Sequence, residues 1–191
     1  MLDFTRLSGF DSAVGGAIHA LRMPALTPFF YACTVLANTG TVVALTTIAL
    51  LVLAVRRRFA EALLVLAVVA GGETISVTIK YVVARSRPSA SEALISLPGD
   101  PAFPSGHAIA GILLYGVIAF LAASHVRSRA ARVAIAVAAA VLIVLIGVSR
   151  VYLGVHWPSD VVGSWIVGGA WLALCASLYA ASKRRQARPA S

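Results

Sequence analysis

Three short stretches of an otherwise apolar chain carry residues that can do chemistry. Lys80 and Arg87 lie in the first, Ser105, Gly106 and His107 in the second, and Arg150, His156 and Asp160 in the third. Three cations describe a cage for an anion, and phosphate is the anion this set fits. Arg87 and Arg150 can each fork two oxygens, while Lys80 supplies a point charge. Pro104, Ser105 and Gly106 make a tight turn. A helix opening there aims the backbone N–H groups of 106–108 at a bound oxyanion, and Ser105 can both cap that helix and donate its hydroxyl. Two histidines in such a cage point to reaction rather than storage. Neutral His156 can attack phosphorus when a carboxylate holds its other ring nitrogen. Asp160, four residues on, is spaced to do so in a chain turning into helix. His107 then protonates the departing oxygen, water hydrolyses the phosphohistidine, and the cations meet the charge of the transferring phosphoryl group.

The elements that position these residues follow from composition. Of 191 residues, 60% are apolar and 12% charged, about half the roughly 25% usual in soluble domains. The chain therefore reads as an all-α integral membrane helical bundle. Five segments are long enough to cross a bilayer, near 38–55, 59–80, 105–125, 130–149 and 158–181. The net charge of +9 comes from 16 Lys and Arg against 7 Asp and Glu. Its placement argues against nucleic acid as a partner: cations cluster at 56–58, 127–132 and 183–188, each directly after a long apolar run. That is the pattern of cytoplasmic loops. With those clusters inside, residues 1–37, the loop near 81–104 and the short loop near 150–157 lie outside, and the basic tail 183–191 lies in the cytoplasm. The chemical residues then gather at the outer ends of four spans. Polar groups concentrated at membrane depth are costly and mark a site.

Residues 1–37 read as helices in the outer membrane interface. Leu7, Phe10, Val14, Ile18 and Leu21 form an amphipathic stripe, and the apolar piece 29–37 after Pro24 and Pro28 is too short to span alone. The competing reading is a sixth, irregular span. The whole of 1–191 forms one membrane domain, with 38–182 as the transmembrane bundle. Glycines such as Gly72, Gly147, Gly163 and Gly168 mark close helix packing. Tyr152 and Trp157 suit the outer interface, and Trp165 and Trp171 suit packing within a span. Cys33 and Cys175 read as buried, unpaired thiols. His19 and His125 read as polar groups in wet places, and Arg85 as an interface cation touching lipid headgroups. Glu73, two turns before Lys80, fits a protonated packing residue, a partner for a site cation, or part of a proton path. His156 with Asp160 imitates a metal pair at i, i+4, but no third ligand has matching spacing, so no metal is expected.

The sequence resembles the type 2 phosphatidic acid phosphatase family through three motifs. Lys80 is followed after six residues by Arg87 and Pro88; Pro104, Ser105, Gly106 and His107 stand together; Ser149 and Arg150 precede His156 and Asp160 at spacings of five and three residues. The resemblance covers about 59–181. It implies a metal-independent phosphatase, without cofactor, in which His156 is the nucleophile, His107 the acid, and Lys80, Arg87 and Arg150 bind phosphate. Membrane members commonly have six spans, where this chain shows five plus interfacial helices. The expected substrate is a phosphorylated lipid at the outer face of the cytoplasmic membrane: undecaprenyl diphosphate first, then phosphatidylglycerol phosphate and phosphatidic acid. A lipid phosphotransferase with a hydroxyl acceptor is the alternative. The cage also resembles that of the vanadium haloperoxidases, which are soluble, so the apolar spans count against that reading. A transporter or scaffold binding phosphate lipids needs no paired histidines beside Asp160.

Overall fold

The computed structural model describes residues 4–186, and among these it contains helices and no strands. The helices are α1 (Ser8–Ala20), α2 (Thr27–Val35), α3 (Thr39–Val55), α4 (Phe59–Val83), α5 (Gly106–Ser124), α6 (Arg129–Tyr152) and α7 (Pro158–Gln186). Arg188 and the rest of the expected tail beyond 186 lie outside the described residues.

Long runs of Ala, Val, Leu and Ile satisfy their own backbone groups only as helix once water is excluded. Local chemistry sets the ends. Asn38 accepts from the Thr41 N–H at 2.7 Å to open α3, and Ser128 accepts from Ala131 to open α6. Trp157 and Asp160 cap α7 reciprocally. The Asp160 N–H bonds the Trp157 carbonyl at 3.0 Å, and the Asp160 carboxylate accepts the Trp157 N–H at 2.9 Å, with Pro158 at the first helical position. Between α6 and α7 the chain turns at Gly154, whose φ of 74° and closeness to the Glu92 carbonyl leave no room for a side chain.

Four helices, α4 to α7, are each long and apolar enough to cross a membrane. The first expected span is different. α3 passes that test only together with α2, as a pair bent by 45°. Residues 27–35, which the sequence places in the interface, form a separate helix that meets α3 at a short break, a geometry shared by broken spans and re-entrant loops.

α5 is the hub, packing against α4, α6 and α7. Val68, Ile109, Leu113, Leu114 and Val117 at its contacts have no exposed surface. The outward faces are apolar as well: Val43, Ile48, Leu51, Leu63 and Leu66 are exposed, which suits a lipid surround. The helices approach most closely at glycine, as at Gly147, where an added Cβ would collide with Val161 and Trp165 of α7. Cys33 and Cys175 are free and buried.

α1 and the start of α2 dock on the end of α6. His19 Nε2 bonds the Val151 carbonyl at 2.9 Å, and Arg22 donates to the Tyr152 carbonyl at 2.8 Å. Tyr152 is fully buried, stacks on Phe30 at 4.2 Å and accepts from the Met23 N–H. It is a docking post, not an interfacial ring, and His19 is part of that dock. Of the apolar stripe, Leu7, Phe10 and Leu21 are exposed, while Val14 and Ile18 are half-buried and Ile18 packs against the cluster of Ala108, Val151 and Val161; the fully buried positions of α1 are Asp11 and Gly15.

Close packing at Gly147 gives a stability prediction. Gly147→Val overpacks the α6–α7 contact and lowers unfolding stability by about 1–3 kcal/mol. Gly16→Ala, where an added methyl meets nothing within 4 Å, leaves the unfolding midpoint unchanged or slightly raised. Thermal unfolding of both variants in detergent checks the contrast.

Candidate active site

The end of α4, the start of α5, the end of α6 and the start of α7 meet at one end of the bundle. Lys80 occupies the last turn of α4, which closes at Ala84 in a left-handed conformation (φ 49°). The loop from 85 to 105 then folds back over the helix ends. Asp100 on this loop joins two of the cations: Lys80 Nζ and Arg87 Nη2 each lie 2.8 Å from its carboxylate. Lys80 also donates to the Pro101 carbonyl, and Arg87 to the carbonyls of Asp100 and Val155, all at 2.8 Å. Partial burial would push the Asp100 carboxyl up. The hydrogen bonds and charges of Lys80 and Arg87 outweigh it and hold the group below the usual carboxylate range.

Arg150 reaches the same place from the last turn of α6 and is almost fully buried. Its Nη1 donates to Thr34 Oγ1 of α2 at 2.6 Å, while its Nε is buried without a partner. Ser105 stands at the N-cap position of α5, but its side chain makes no capping bond. Its Oγ is buried and unpartnered, so the capping role expected from sequence is not realised. Ser164 of α7 fixes this corner instead, accepting the Ser105 N–H at 2.8 Å and donating to the Asp160 carbonyl at 2.6 Å. Ser105 Oγ and Arg150 Nε are thus both buried donors with no partner among the described side chains and backbone.

His156 sits in the turn before α7. Arg87 Nη1 lies 3.1 Å from its Nε2, so Nε2 carries the lone pair and the ring proton resides on Nδ1. That nitrogen faces Asp160 Oδ2 at 3.4 Å, just short of a hydrogen bond. Burial, followed by the positive charges of Arg150, Arg87 and Lys80, holds the imidazole well below its ordinary value. His156 is therefore neutral at physiological pH.

Sequence reasoning misplaced Arg85 and overlooked four partners. Arg85 does not touch headgroups. It is buried between Asp160 and Asp11, with the Phe4 ring 4.1 Å from its guanidinium carbon. Asp11, Thr34, Asp100 and Ser164 had no motif to mark them, although Asp11, Gly15 and His19 recur every four residues as a polar and small face of α1. His125, at the other end of the bundle, contacts Glu61 and Arg58 at 3.3 Å and is not merely wetted.

The cage opens into a cavity of about 660 Å³ that runs down between α3 and α4. Lys80, Arg87, Gly106, His107, Arg150 and His156 line its polar end. Val42, Val43, Leu66, Val69 and Val77 line the remainder, interrupted by Glu73, Thr46 and Ser76. Every phosphate-binding and reactive residue expected from sequence except Ser105 and Asp160 is on this wall; those two stand behind Gly106 and His156. Among the described residues, no group of three or more His, Cys, Asp or Glu is placed to hold a metal ion.

Fold and site together define an α-helical integral membrane protein with a cationic anion site at one end of its bundle and an apolar groove beneath it. The profile of the PAP2 superfamily matches residues 61–184, and the chain belongs to that superfamily. Its relatives are lipid phosphatases. It is 40% identical over 67 residues to phosphatidylglycerophosphatase B of Bacillus subtilis, covering 35% of this chain and 33% of that protein. It is 35% identical over 97 residues to undecaprenyl-diphosphatase of Sulfolobus acidocaldarius, covering 49% and 42%. The matched stretches thus span less than half the length of either relative. Among solved structures, the transmembrane PAP2 type phosphatidylglycerolphosphate phosphatase from Bacillus subtilis superimposes with a TM-score of 0.82 at 28% identity, over 91% of this chain and 86% of that one. LpxE of Aquifex aeolicus shares the fold, with a TM-score of 0.69 at 21% identity over 85% and 92%.

The Ser164 link gives a direct prediction. Ser164→Ala strands the buried Ser105 N–H and lowers stability by about 1–3 kcal/mol. Denaturant titration of the detergent-solubilised protein checks it.

Proposed function

We propose that this protein is a metal-independent lipid phosphatase that hydrolyses a phosphate monoester or diphosphate through a phosphohistidine. The observation that carries the reading is the continuity of the cavity: a cationic cage for phosphate opens into a mostly apolar groove between α3 and α4. A lipid can therefore seat its headgroup and its tail at once. Catalytic roles fall to His156, His107 and Asp160, and phosphate binding to Lys80, Arg87, Ser105, Gly106 and Arg150.

The chemistry balances as follows. His156 Nε2 donates its lone pair to phosphorus, and the bond from phosphorus to the lipid oxygen breaks. The lipid oxygen keeps the bonding pair and takes a proton from His107. Lys80, Arg87 and Arg150, with the free N–H groups opening α5, hold the transferring oxygens. Asp160 holds the Nδ1 proton and meets the positive charge that develops on the ring. Water, losing a proton to His107, then attacks phosphorus and releases orthophosphate and neutral His156.

The basic residues 56–58, 127–132 and 183–185 stand at the end of the bundle opposite the cage. By the positive-inside pattern, the cage faces the outside of the cytoplasmic membrane and the C-terminus the cytoplasm. Likeness over most of its length to a phosphatidylglycerolphosphate phosphatase favours phosphatidylglycerol phosphate as the lipid to test first, beside undecaprenyl diphosphate and phosphatidic acid.

Phosphate release by the detergent-purified protein from these three lipids, in excess EDTA, tests the proposal. Release that survives the chelator and falls roughly 10²- to 10⁴-fold in both His156→Ala and His107→Ala supports it. Loss of activity with EDTA, or full activity in His156→Ala, contradicts it. Phosphate appearing on an added alcohol, with no orthophosphate, identifies a phosphotransferase instead.

The pH profile supplies a second test. His156 must be neutral to attack, and its value in the folded protein lies well below 6.5. The acid limb of kcat/KM, which reports the free enzyme, therefore falls below pH 6.5 rather than at it. Linkage has the same sign: unfolding lets His156 take up a proton, so stability declines as pH drops below about 6.5, the ordinary histidine value.

A further inference from the structure

Asp11, Arg85 and Asp160 form a buried chain that ends on His156. Arg85 Nη2 donates to Asp11 Oδ2 at 2.7 Å, and its Nη1 donates to Asp160 Oδ1 and to Ser159 Oγ. Asp11 also accepts the Ser159 N–H and hydroxyl, both at 2.8 Å, which pins α1 across the start of α7. The two carboxylates are 3% and 0% exposed and the guanidinium 9%. Phe4 and Trp157 cover the guanidinium at 4.1 and 5.7 Å.

This arrangement does more than fasten a helix. The Asp160 oxygens are divided: Oδ1 belongs to Arg85, while Oδ2 accepts from the Trp157 N–H and faces His156 Nδ1. Rotation of the carboxylate would break the Arg85 bond to Oδ1 and the Trp157 bond to Oδ2, so Arg85 helps fix which oxygen the histidine meets. A charged carboxylate without exposed surface also requires a fixed positive partner. Arg85 divides its N–H groups between Asp160 and Asp11, so Asp160 is held in place while its Oδ2 stays turned to the ring. Neither Asp11 nor Arg85 is among the residues that define the three motifs, and Asp11 lies outside the part of the chain that the superfamily profile matches.

Resting on the phosphoryl-transfer reading above, we propose that Asp11 and Arg85 are positioning residues: through Asp160 they set the orientation and tautomer of His156. α1 is then a working part of the active site as well as a surface helix.

The test uses the full-length protein in detergent, with phosphatidic acid of short acyl chains as substrate. Arg85→Gln lowers kcat roughly 10- to 100-fold with KM nearly unchanged, the size expected when the support of a reacting group is removed. Arg85→Lys recovers part of the loss. Asp11→Asn lowers kcat alone but adds little to Arg85→Gln, because it acts through the same guanidinium. A second readout is independent of turnover: the rate at which diethyl pyrocarbonate acylates His156 at fixed pH, followed by mass spectrometry of its peptide. Slower acylation of His156 in folded Arg85→Gln supports the proposal even if the wild type releases no phosphate, an outcome that defeats the phosphatase reading alone. Unchanged acylation, unchanged kcat, or a kcat loss that merely tracks the folded fraction overturns it.

Discussion

Lys80, Arg87 and Arg150 repel one another, and each is nearly removed from water at the end of an apolar bundle. Such a cluster is stable only when every guanidinium and ammonium is met by a fixed acceptor. The acceptors come from the connections between helices: Asp100 and the Pro101 carbonyl from the long loop, the Val155 carbonyl from the short turn, and Thr34 from α2. Meeting that requirement folds the long loop over the helix ends and fixes the path of the turn that carries His156. The site and its scaffold are thus one electrostatic object.

The apolar part of the structure follows a different logic. α5 has the largest share of buried residues among the spanning helices, while α3, α4 and α6 turn valine, leucine and isoleucine outward. The cavity exploits this by continuing the cationic cage into the α3–α4 groove, so that headgroup and tail meet the environment each favours. Glu73 lies in that groove with Thr46 and Ser76. Its place on the cavity wall leaves open the three roles that its sequence position suggested.

Much of this was legible in the sequence because long apolar runs and tightly spaced polar motifs each carry a strong local signal. The helices from Phe59 to Gln186 and the convergence of Lys80, Arg87, His107, Arg150 and His156 follow from spans and spacing alone. The N-terminal segment was harder to read. α1 buries Asp11 and Gly15 fully and only the Val14 and Ile18 part of its apolar stripe, leaving Leu7, Phe10 and Leu21 exposed. α2 joins α3 across a 45° bend that no run of twenty apolar residues announces. Asp100, Thr34 and Ser164 are single polar residues whose partners lie far away in sequence, so only the tertiary structure reveals them. Arg85 was misread for a related reason: an interface cation and a buried bridge look alike until Asp11 is brought from 74 residues away.

The covalent step tests the central claim most directly. Short incubation with phosphatidylglycerol phosphate labelled with ³²P in its terminal phosphate, followed by an alkaline quench and peptide mapping, reads it. Alkali-stable, acid-labile label on the peptide containing His156, absent from His156→Ala, is the predicted result. Turnover with no label on the protein, or label on a residue other than His156, contradicts the phosphohistidine route.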